Sequence, residues 1–452
     1  MSGVLPEGDH QRRADAGPDG RGTDGDGTVP YADQRTERSR MARREATPAA
    51  PGSRALVVDL IRSSGPISRV ELTTATGLTQ PAISMIVRKL LTDGIIRQTG
   101  SASSGGKPRQ LLEINARARI GIGIQLGFES ITFVATDTGG GIIARQQVDG
   151  AAVEPPDEVT QRIVAGYEDF VRGTGIDRGT IAGVAVVAPG PIDQVAGRVL
   201  GPPTLQHWRD FPLRERLGAG MGVPILVDND AAAAAVGEYW SRGVSRHRTF
   251  GSIYIGTGIG AGIMLDGALL RGASSNAVEV GHISVVPGGR ACFCGNRGCL
   301  ERYAAPLVVV EDARTDAAAF ASLDLSFRPE DQGRDFDVLS LAAVNGHPAA
   351  LALAERAAEH LAEAAVTLVN LFDLDELVLT GPGVAIAGSI YTRTIRARLD
   401  ERRFARRAHP LDVSLSSNPR DAAAIGASSL VLQSTLSPGH GPVLQQPGLV
   451  VA

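Results

Sequence analysis

The chain has three cysteines, Cys292, Cys294 and Cys299, all within one short stretch, and His282 precedes them closely. Three thiolates and one imidazole satisfy the four-coordinate tetrahedral preference of Zn2+, and Gly295 and Gly298 permit a tight turn around an ion. A complete donor set of this kind leaves no position for a reacting water, so the cofactor expected is structural Zn2+. A reduced thiol cluster without metal, or a redox pair, is the alternative reading. A secreted disulfide framework is excluded, because it needs cysteines spread along a small chain.

Polar groups gather at strand ends around this cluster. Glu279-Val280-Gly281-His282 lies just upstream. Before it, a strand at Ser252 to Ile255 runs into Gly256-Thr257-Gly258-Ile259-Gly260-Ala261-Gly262. Glycines there let backbone amides approach an anion or a hydroxyl-rich ligand, although a plain hairpin turn uses glycine as well. The strand Ile225 to Val227 ends in Asp228-Asn229-Asp230 ahead of an alanine-rich helix, and Ile181 to Val187 ends in Pro189-Gly190-Pro191-Ile192-Asp193.

The order and spacing of the GTGIGAG loop, the ExGH segment and the CxCGxxGCLE segment closely resemble the ROK family, whose name joins repressors, open reading frames and kinases. The resemblance runs roughly from Arg54 to Leu432. It implies an α/β fold with two RNase H-like lobes of the actin-like ATPase and sugar kinase superfamily, holding a sugar between them. On the matching positions it implies that Gly190, Asn229, Asp230, Glu279, His282 and Glu301 bind the sugar. Carboxylates, an amide and an imidazole are what a polyhydroxylated ligand needs. His282 would serve twice, with one ring nitrogen on zinc and the other toward the sugar.

In the kinases of the family the residue matching Asp230 is the general base, and ATP with its Mg2+ is held through a first-strand DxGxT motif. Here that motif reads Gln125-Leu126-Gly127-Phe128-Glu129. The aspartate has become glutamine, and a glutamate beside phosphates adds repulsion of about 1 to 4 kcal/mol at about 4 Å. The adenosine turn is only partly preserved, as Leu379-Thr380-Gly381-Pro382-Gly383. Asp230 is therefore expected to be a vestigial base in a regulator with no kinase activity. The alternative is an active hexokinase-type ROK kinase carrying a DNA-binding appendage.

The elements that position these groups follow from periodicity. Leu56, Val57, Leu60 and Ile61 form a helical stripe from Arg54 that ends at Gly65-Pro66, and a second helix, Arg69 to Thr76, closes at Gly77. Thr79 is a helix cap, Pro81 suits a first turn, and Ile83, Ile86, Val87 and Leu90 form the next stripe up to Gly94. Two short helices joined at a glycine, followed by strands at Ile95 to Arg97 and Leu111 to Ile114, predict an N-terminal winged helix-turn-helix over residues 53–116. Ser84, Met85 and Arg88 fall opposite the apolar stripe and Gln80 begins the helix. With Lys89, and with Lys107 and Arg109 of the wing, they form the expected DNA face. A module used for protein contacts is the alternative. From Ser53 to Asn115 eight basic residues meet four acidic ones, whereas the whole chain carries a net charge of −4.

Residues 117–236 are expected to form the first lobe, completed by a C-terminal helix near 420–433, and residues 237–419 the second lobe with the zinc site. Residues 1–52 and 434–452, rich in Gly, Pro and charge, are expected to be disordered tails. The helix Pro348 to Phe372 could serve the core or an interface, with core favoured. No apolar run reaches membrane-spanning length and residues 1–50 hold no signal-peptide stretch, so a cytoplasmic protein without membrane contact is expected. Its expected partners are operator DNA, a sugar or sugar phosphate, and a second or fourth copy of itself as a homodimer or homotetramer. Release from DNA on sugar binding, that is repression of carbohydrate genes, is the expected response.

Overall fold

The computed structural model describes residues 52–102, 109–152, 154–201 and 203–436. Of the tails expected at 1–52 and 434–452, residues 1–51 and 437–452 lie outside the described residues, as does Lys107 in the expected wing.

The described residues begin with three helices and a small sheet. Helix α1 (Ser53–Ser64) buries Val57, Val58, Leu60 and Ile61, and strand β1 (Ile67–Ser68) leads into α2 (Arg69–Thr76). Ser68 and Glu71 form a reciprocal capping box: the Glu71 amide donates to Ser68 Oγ at 3.3 Å, and the Ser68 amide to Glu71 Oε2 at 2.8 Å. Gly77, at φ +69°, ends α2 in the left-handed conformation. Helix α3 (Gln80–Thr92), capped by the Thr79 hydroxyl, buries Ile83, Val87 and Leu90. Strands β2 (Ile96–Ala102) and β3 (Arg109–Ile114) complete an antiparallel sheet of order β1-β3-β2.

The next sheet has the order β10-β7-β4-β5-β6. Its strands are β4 (Ile120–Leu126), β5 (Ser130–Asp137), β6 (Ile142–Asp149), β7 (Ile181–Ala188) and β10 (Ile225–Asn229). The first three form an antiparallel meander, whereas β7 and β10 run parallel to β4. A small hairpin, β8 (Ile192–Asp193) with β9 (Arg198–Val199), follows β7. Helices α4 (Pro156–Thr174) and α5 (Leu213–Met221) cover one face through Ile163, Tyr167, Phe170, Leu213 and Leu217, packed on Phe133, Val184 and Val186. Helix α6 (Asp230–Ser241) leaves the end of β10. It runs unbroken through residues 236 and 237, where a lobe boundary was expected.

The second sheet has the order β13-β12-β11-β14-β15, from β11 (Phe250–Ile255), β12 (Ile259–Leu265), β13 (Ala268–Leu269), β14 (Glu376–Thr380) and β15 (Asp412–Leu415). A short helix α7 (Glu301–Ala304) precedes α8 (Pro306–Thr315), α9 (Gln332–Val344), α10 (Pro348–Phe372) and α11 (Gly388–Arg402), which close one core with this sheet. Along α10, Leu353, Leu361 and Leu368 are buried and Leu351 and Val366 partly so, while Leu371 is 71% exposed. The helix is thus mainly a core element. Among the described residues no single helix is long and apolar enough to cross a membrane.

Helix α12 (Ala422–Leu436) returns to the other face of the first sheet and crosses α6, which in turn lies on β12. The helix extends to Leu436, so Ser434 to Leu436 belong to it and not to a tail. These layers meet at backbone distance. A Cβ at Gly123 of β4 would fall 1.9 Å from Ala424 O, one at Gly426 of α12 would fall 1.8 Å from Ala233 O, and one at Gly262 of β12 would fall 2.4 Å from Ala235 Cβ. Gly426→Ala is therefore expected to lower the unfolding free energy by about 1–3 kcal/mol through overpacking. Urea titration checks it, and unchanged stability would contradict the close crossing.

Candidate functional site

One cavity of about 220 Å³ lies between the two sheets, and Gly190, Asn229, Asp230, Glu279, His282 and Glu301 all line it. The first lobe contributes three of them. Gly190 follows β7, Asn229 ends β10, and Asp230 begins α6. Asn229 caps that helix by accepting from the Ala232 amide at 3.0 Å, which leaves its side-chain NH2 for the cavity. A Cβ at Gly190 would fall 2.9 Å from that Asn229 Nδ2 and 3.7 Å from Glu279 Oε1, so only glycine leaves this wall open. The second lobe contributes Glu279, His282 at the end of a helical turn, and Glu301 at the start of α7.

Burial raises the proton affinity of all three carboxylates in the cleft, and Glu279 adds to the rise at the other two. Desolvation, with Glu279 nearby, raises Asp230 to about 6. Desolvation, with Glu279 and Asp230 nearby, raises Glu301 to about 7 against the Ile259 amide. Desolvation also raises Glu279, and it lowers His282. Such a cleft favours ligands that hydrogen-bond without carrying negative charge.

His282, Cys292, Cys294 and Cys299 converge, with their ligand atoms all within 4.8 Å of one another. Cys292 Sγ lies 3.7 Å from His282 Nδ1, and Cys294 Sγ lies 3.7 Å from Cys299 Sγ. A tetrahedron with metal–sulfur bonds of about 2.3 Å has edges of about 3.8 Å. The donor set and its spacing thus fit a tetrahedral metal ion, and the thiols are not disulfide-bonded. His282 turns Nδ1 to the thiols while its Nε2 lies 3.9 Å from Glu301 Oε2 at the cavity. One ring therefore joins the cysteine cluster to the cleft.

Both departures from the DxGxT pattern have partners. Gln125 Nε2 donates to Tyr254 Oη at 2.8 Å, and Tyr254 is a buried ring that lines the cavity. Glu129 accepts at 2.6 Å from the Gly333 amide in the first turn of α9, so a side chain of the first lobe occupies the anion-attracting end of a second-lobe helix. Of the glycines in the GTGIGAG segment, Gly260 and Gly262 make room for Ala231 and Ala235 of α6, and so serve packing as well as any ligand.

Among the expected DNA contacts, Gln80, Ser84, Arg88 and Lys89 are exposed on α3 together with Met85, and Arg109 is exposed at the start of β3. Lys89 is not free: its Nζ lies 2.9 Å from Asp93 Oδ1, and Arg54 also reaches Asp93, at 3.2 Å. Exposed pairs of this kind contribute little and exchange readily. Sequence reasoning missed Tyr254, Asp228, Arg271 and Asn276. Asp228 stands inside the DND run without any spacing signal of its own, and its partner Arg271 is distant in sequence, with Arg271 Nη1 donating to Asp228 Oδ1 at 2.7 Å.

The chain belongs to the ROK family, which it matches over residues 121–434. It is similar to the xylose repressor of Bacillus subtilis, with 27% identity over 379 residues, 83% of this chain and 94% of that protein. Its fold is similar to a ROK family transcriptional regulator, a homologue of the E. coli Mlc protein, with TM-score 0.67, 27% identity, and coverage of 85% of this chain and 96% of the other. It is also similar to a ROK family glucokinase from Streptomyces griseus in complex with glucose and AMPPNP, with TM-score 0.60 and 28% identity, but over only 69% of this chain, against 98% of the other. The repressor and the regulator thus cover more of this chain than the kinase does.

Desolvation, with Asp337 and Asp331 nearby, holds the Glu129 carboxyl above its usual value, while the Gly333 amide opposes. The folded protein then binds this proton more tightly than the unfolded chain does, so ionising Glu129 costs stability above the ordinary glutamate range. Glu129→Gln is expected to raise the unfolding free energy near pH 7, with the gain fading toward about pH 4. Denaturant titrations at both pH values check this, and a loss of stability near pH 7 would contradict it.

Proposed function

We propose that this chain is a sugar-responsive transcriptional repressor, in which a kinase-derived cleft senses a neutral sugar and a winged helix-turn-helix reads operator DNA. One observation carries the reading. The six hydroxyl-binding side chains and backbone positions converge on one cavity, while the two positions through which a kinase would hold ATP and Mg2+ are Gln125 and Glu129, engaged with Tyr254 and Gly333. The cavity was expected to take a sugar or a sugar phosphate. Its three carboxylates favour the uncharged sugar, because Arg302, a basic residue in its lining, already lies 3.8 Å from Glu311.

In this reading Asp230 accepts a sugar hydroxyl and performs no phosphoryl transfer. Asn229, Glu279 and Glu301 hold further hydroxyls, and Gly190 leaves room for the ring. His282, Cys292, Cys294 and Cys299 would hold Zn2+, which when bound fixes the imidazole and the turn that carries it. Gln80, Ser84 and Arg88 on α3 are the base-reading face, and Lys89, Lys107 and Arg109 supply phosphate and wing contacts. Reading a pseudo-palindromic site requires two copies, so the repressor acts as a homodimer or a dimer of dimers in the cytoplasm.

The route from cleft to DNA is short. Helix α6 begins at the sugar residues Asn229 and Asp230, spans about 18 Å, and ends at Trp240. The Trp240 carbonyl accepts from Arg62 Nη1 of α1 at 3.0 Å, and the same guanidinium lies 5.0 Å above the Trp240 ring. A sugar that prefers one setting of α6 thereby prefers one setting of the DNA-reading helices.

A second reading, an active sugar kinase, is favoured by Asp230 at the cleft and by the similarity to the Streptomyces griseus glucokinase, and ATP turnover with hexoses decides it. Fluorescence anisotropy on a DNA site selected by the protein tests the first reading. Arg88→Ala is expected to weaken operator binding by about tenfold or more, matching the 1–3 kcal/mol of a bidentate base contact. A neutral pentose or hexose should release the DNA, whereas the corresponding sugar phosphate should not. Arg62→Ala should leave sugar binding intact and blunt the release. Sugar binding without any change in DNA affinity would overturn the repressor reading. Metal analysis is expected to find one Zn2+ per chain, lost with Cys299→Ser.

A further inference from the structure

The segment between β13 and His282, residues 271–279, crosses from the second lobe to the first and is fastened at two points. At its start, Arg271 Nη1 donates to Asp228 Oδ1 at 2.7 Å; Asp228 is 1% exposed and also accepts from Gln194 Nε2 at 3.0 Å and from the Asn229 amide at 2.9 Å. Near its end, Asn276 pairs twice with the backbone of Ile192 in the β8 hairpin. The Ile192 amide donates to Asn276 Oδ1 at 2.9 Å, and Asn276 Nδ2 donates to the Ile192 carbonyl at 3.0 Å. Asn276 Nδ2 also donates to the Ser274 carbonyl, at 2.8 Å.

Between these fastenings and the cleft the backbone is strained. Ser275 has φ +62° and Val278 has φ +65°, and a β-branched residue in the left-handed region is a costly conformation of about 1–3 kcal/mol that persists only where its surroundings impose it. The residue that follows Val278 is Glu279. Its φ of −71° and ψ of 63°, with the Val280 amide donating to the Val278 carbonyl at 2.7 Å, form an inverse γ-turn. That turn aims the Glu279 side chain at the cavity wall opposite Asn229 and Gly190.

We propose that Asn276 is a positioning residue for the sugar site: its double bond to Ile192 staples the strap over residues 271–279 to the first lobe, and so holds Glu279 in register with Asn229 and Asp230. Asn276 lies in the cavity lining, but its amide is spent on backbone groups, so its effect on the ligand runs through the placement of Glu279. The strap is one point at which residues of the two lobes are locked together beside the cleft, so occupation of the cleft and closure of the staple reinforce each other. The inference rests on the reading of the cleft as a sugar sensor.

The test uses the full chain, calorimetry with D-xylose, D-glucose and other neutral pentoses and hexoses, and hydrogen exchange. With the sugar that the unaltered protein binds, Asn276→Ala is expected to weaken affinity by about tenfold or more, the worth of two neutral hydrogen bonds. A residue that merely supported the fold would lower the melting temperature of the free protein and leave the affinity of the folded fraction unchanged, and that result would overturn the proposal. Should the variant not fold, exchange in the unaltered protein decides. Sugar is expected to slow exchange of the Ile192 amide, and no change there overturns the staple. Absence of any sugar binding by the unaltered protein would instead remove the sugar-sensing reading on which the inference rests.

Discussion

Helix α6 lies between two layers that approach it at backbone distance, α12 on one side and the β12 glycines on the other. That closeness is possible only where side chains are nearly absent, as at Gly426, Gly262, Ala233 and Ala235. Several parts of the cleft take their place from it. Asn229 and Asp230 are fixed because they start α6, the GTGIGAG hairpin is fixed because it lies on α6, and α1 is fixed because Arg62 holds the far end of α6. The alanine and glycine content of the chain, and its 4% of aromatic residues, follow from the same requirement.

A cleft assembled from two lobes must hold its parts against the cost of gathering like charges. Burial raises the proton affinity of Asp230, Glu279 and Glu301, Glu279 adds to the rise at the other two, and fixed donors oppose it: the Ala231 amide on Asp230 and the Ile259 amide on Glu301. In the proposed reading a hydroxyl-rich ligand would supply further donors. The cysteine cluster stands behind the same imidazole, so the orientation of a cleft residue is set by groups the ligand does not touch.

Two contacts join the lobes beside the cleft. Gln125 donates to the buried Tyr254, and Glu129 accepts from the Gly333 amide in the first turn of α9. A change in the opening of the cleft would have to pass through both contacts.

Much of this was legible from local rules. The N-terminal helices were readable because Gly77, Thr79 and Gly94 punctuate a strong apolar stripe, and the strands of the first sheet because they are apolar runs set off by turns. The cysteine–histidine cluster was readable because its four donor residues lie within a short stretch. The grouping of the cavity residues came from resemblance, since nothing in the spacing of Gly190, Asn229, Glu279 and Glu301 says that they meet. What only the tertiary structure decided was distance between segments remote in sequence: the pairing of Arg271 with Asp228, of Asn276 with Ile192, of Gln125 with Tyr254 and of Arg62 with Trp240. Hydrophobic periodicity specifies which face of an element is buried, but not which partner covers it. The choice of partner is made by packing, here by the small residues that let α6 and α12 cross, and only that crossing brings the two halves of the cleft together.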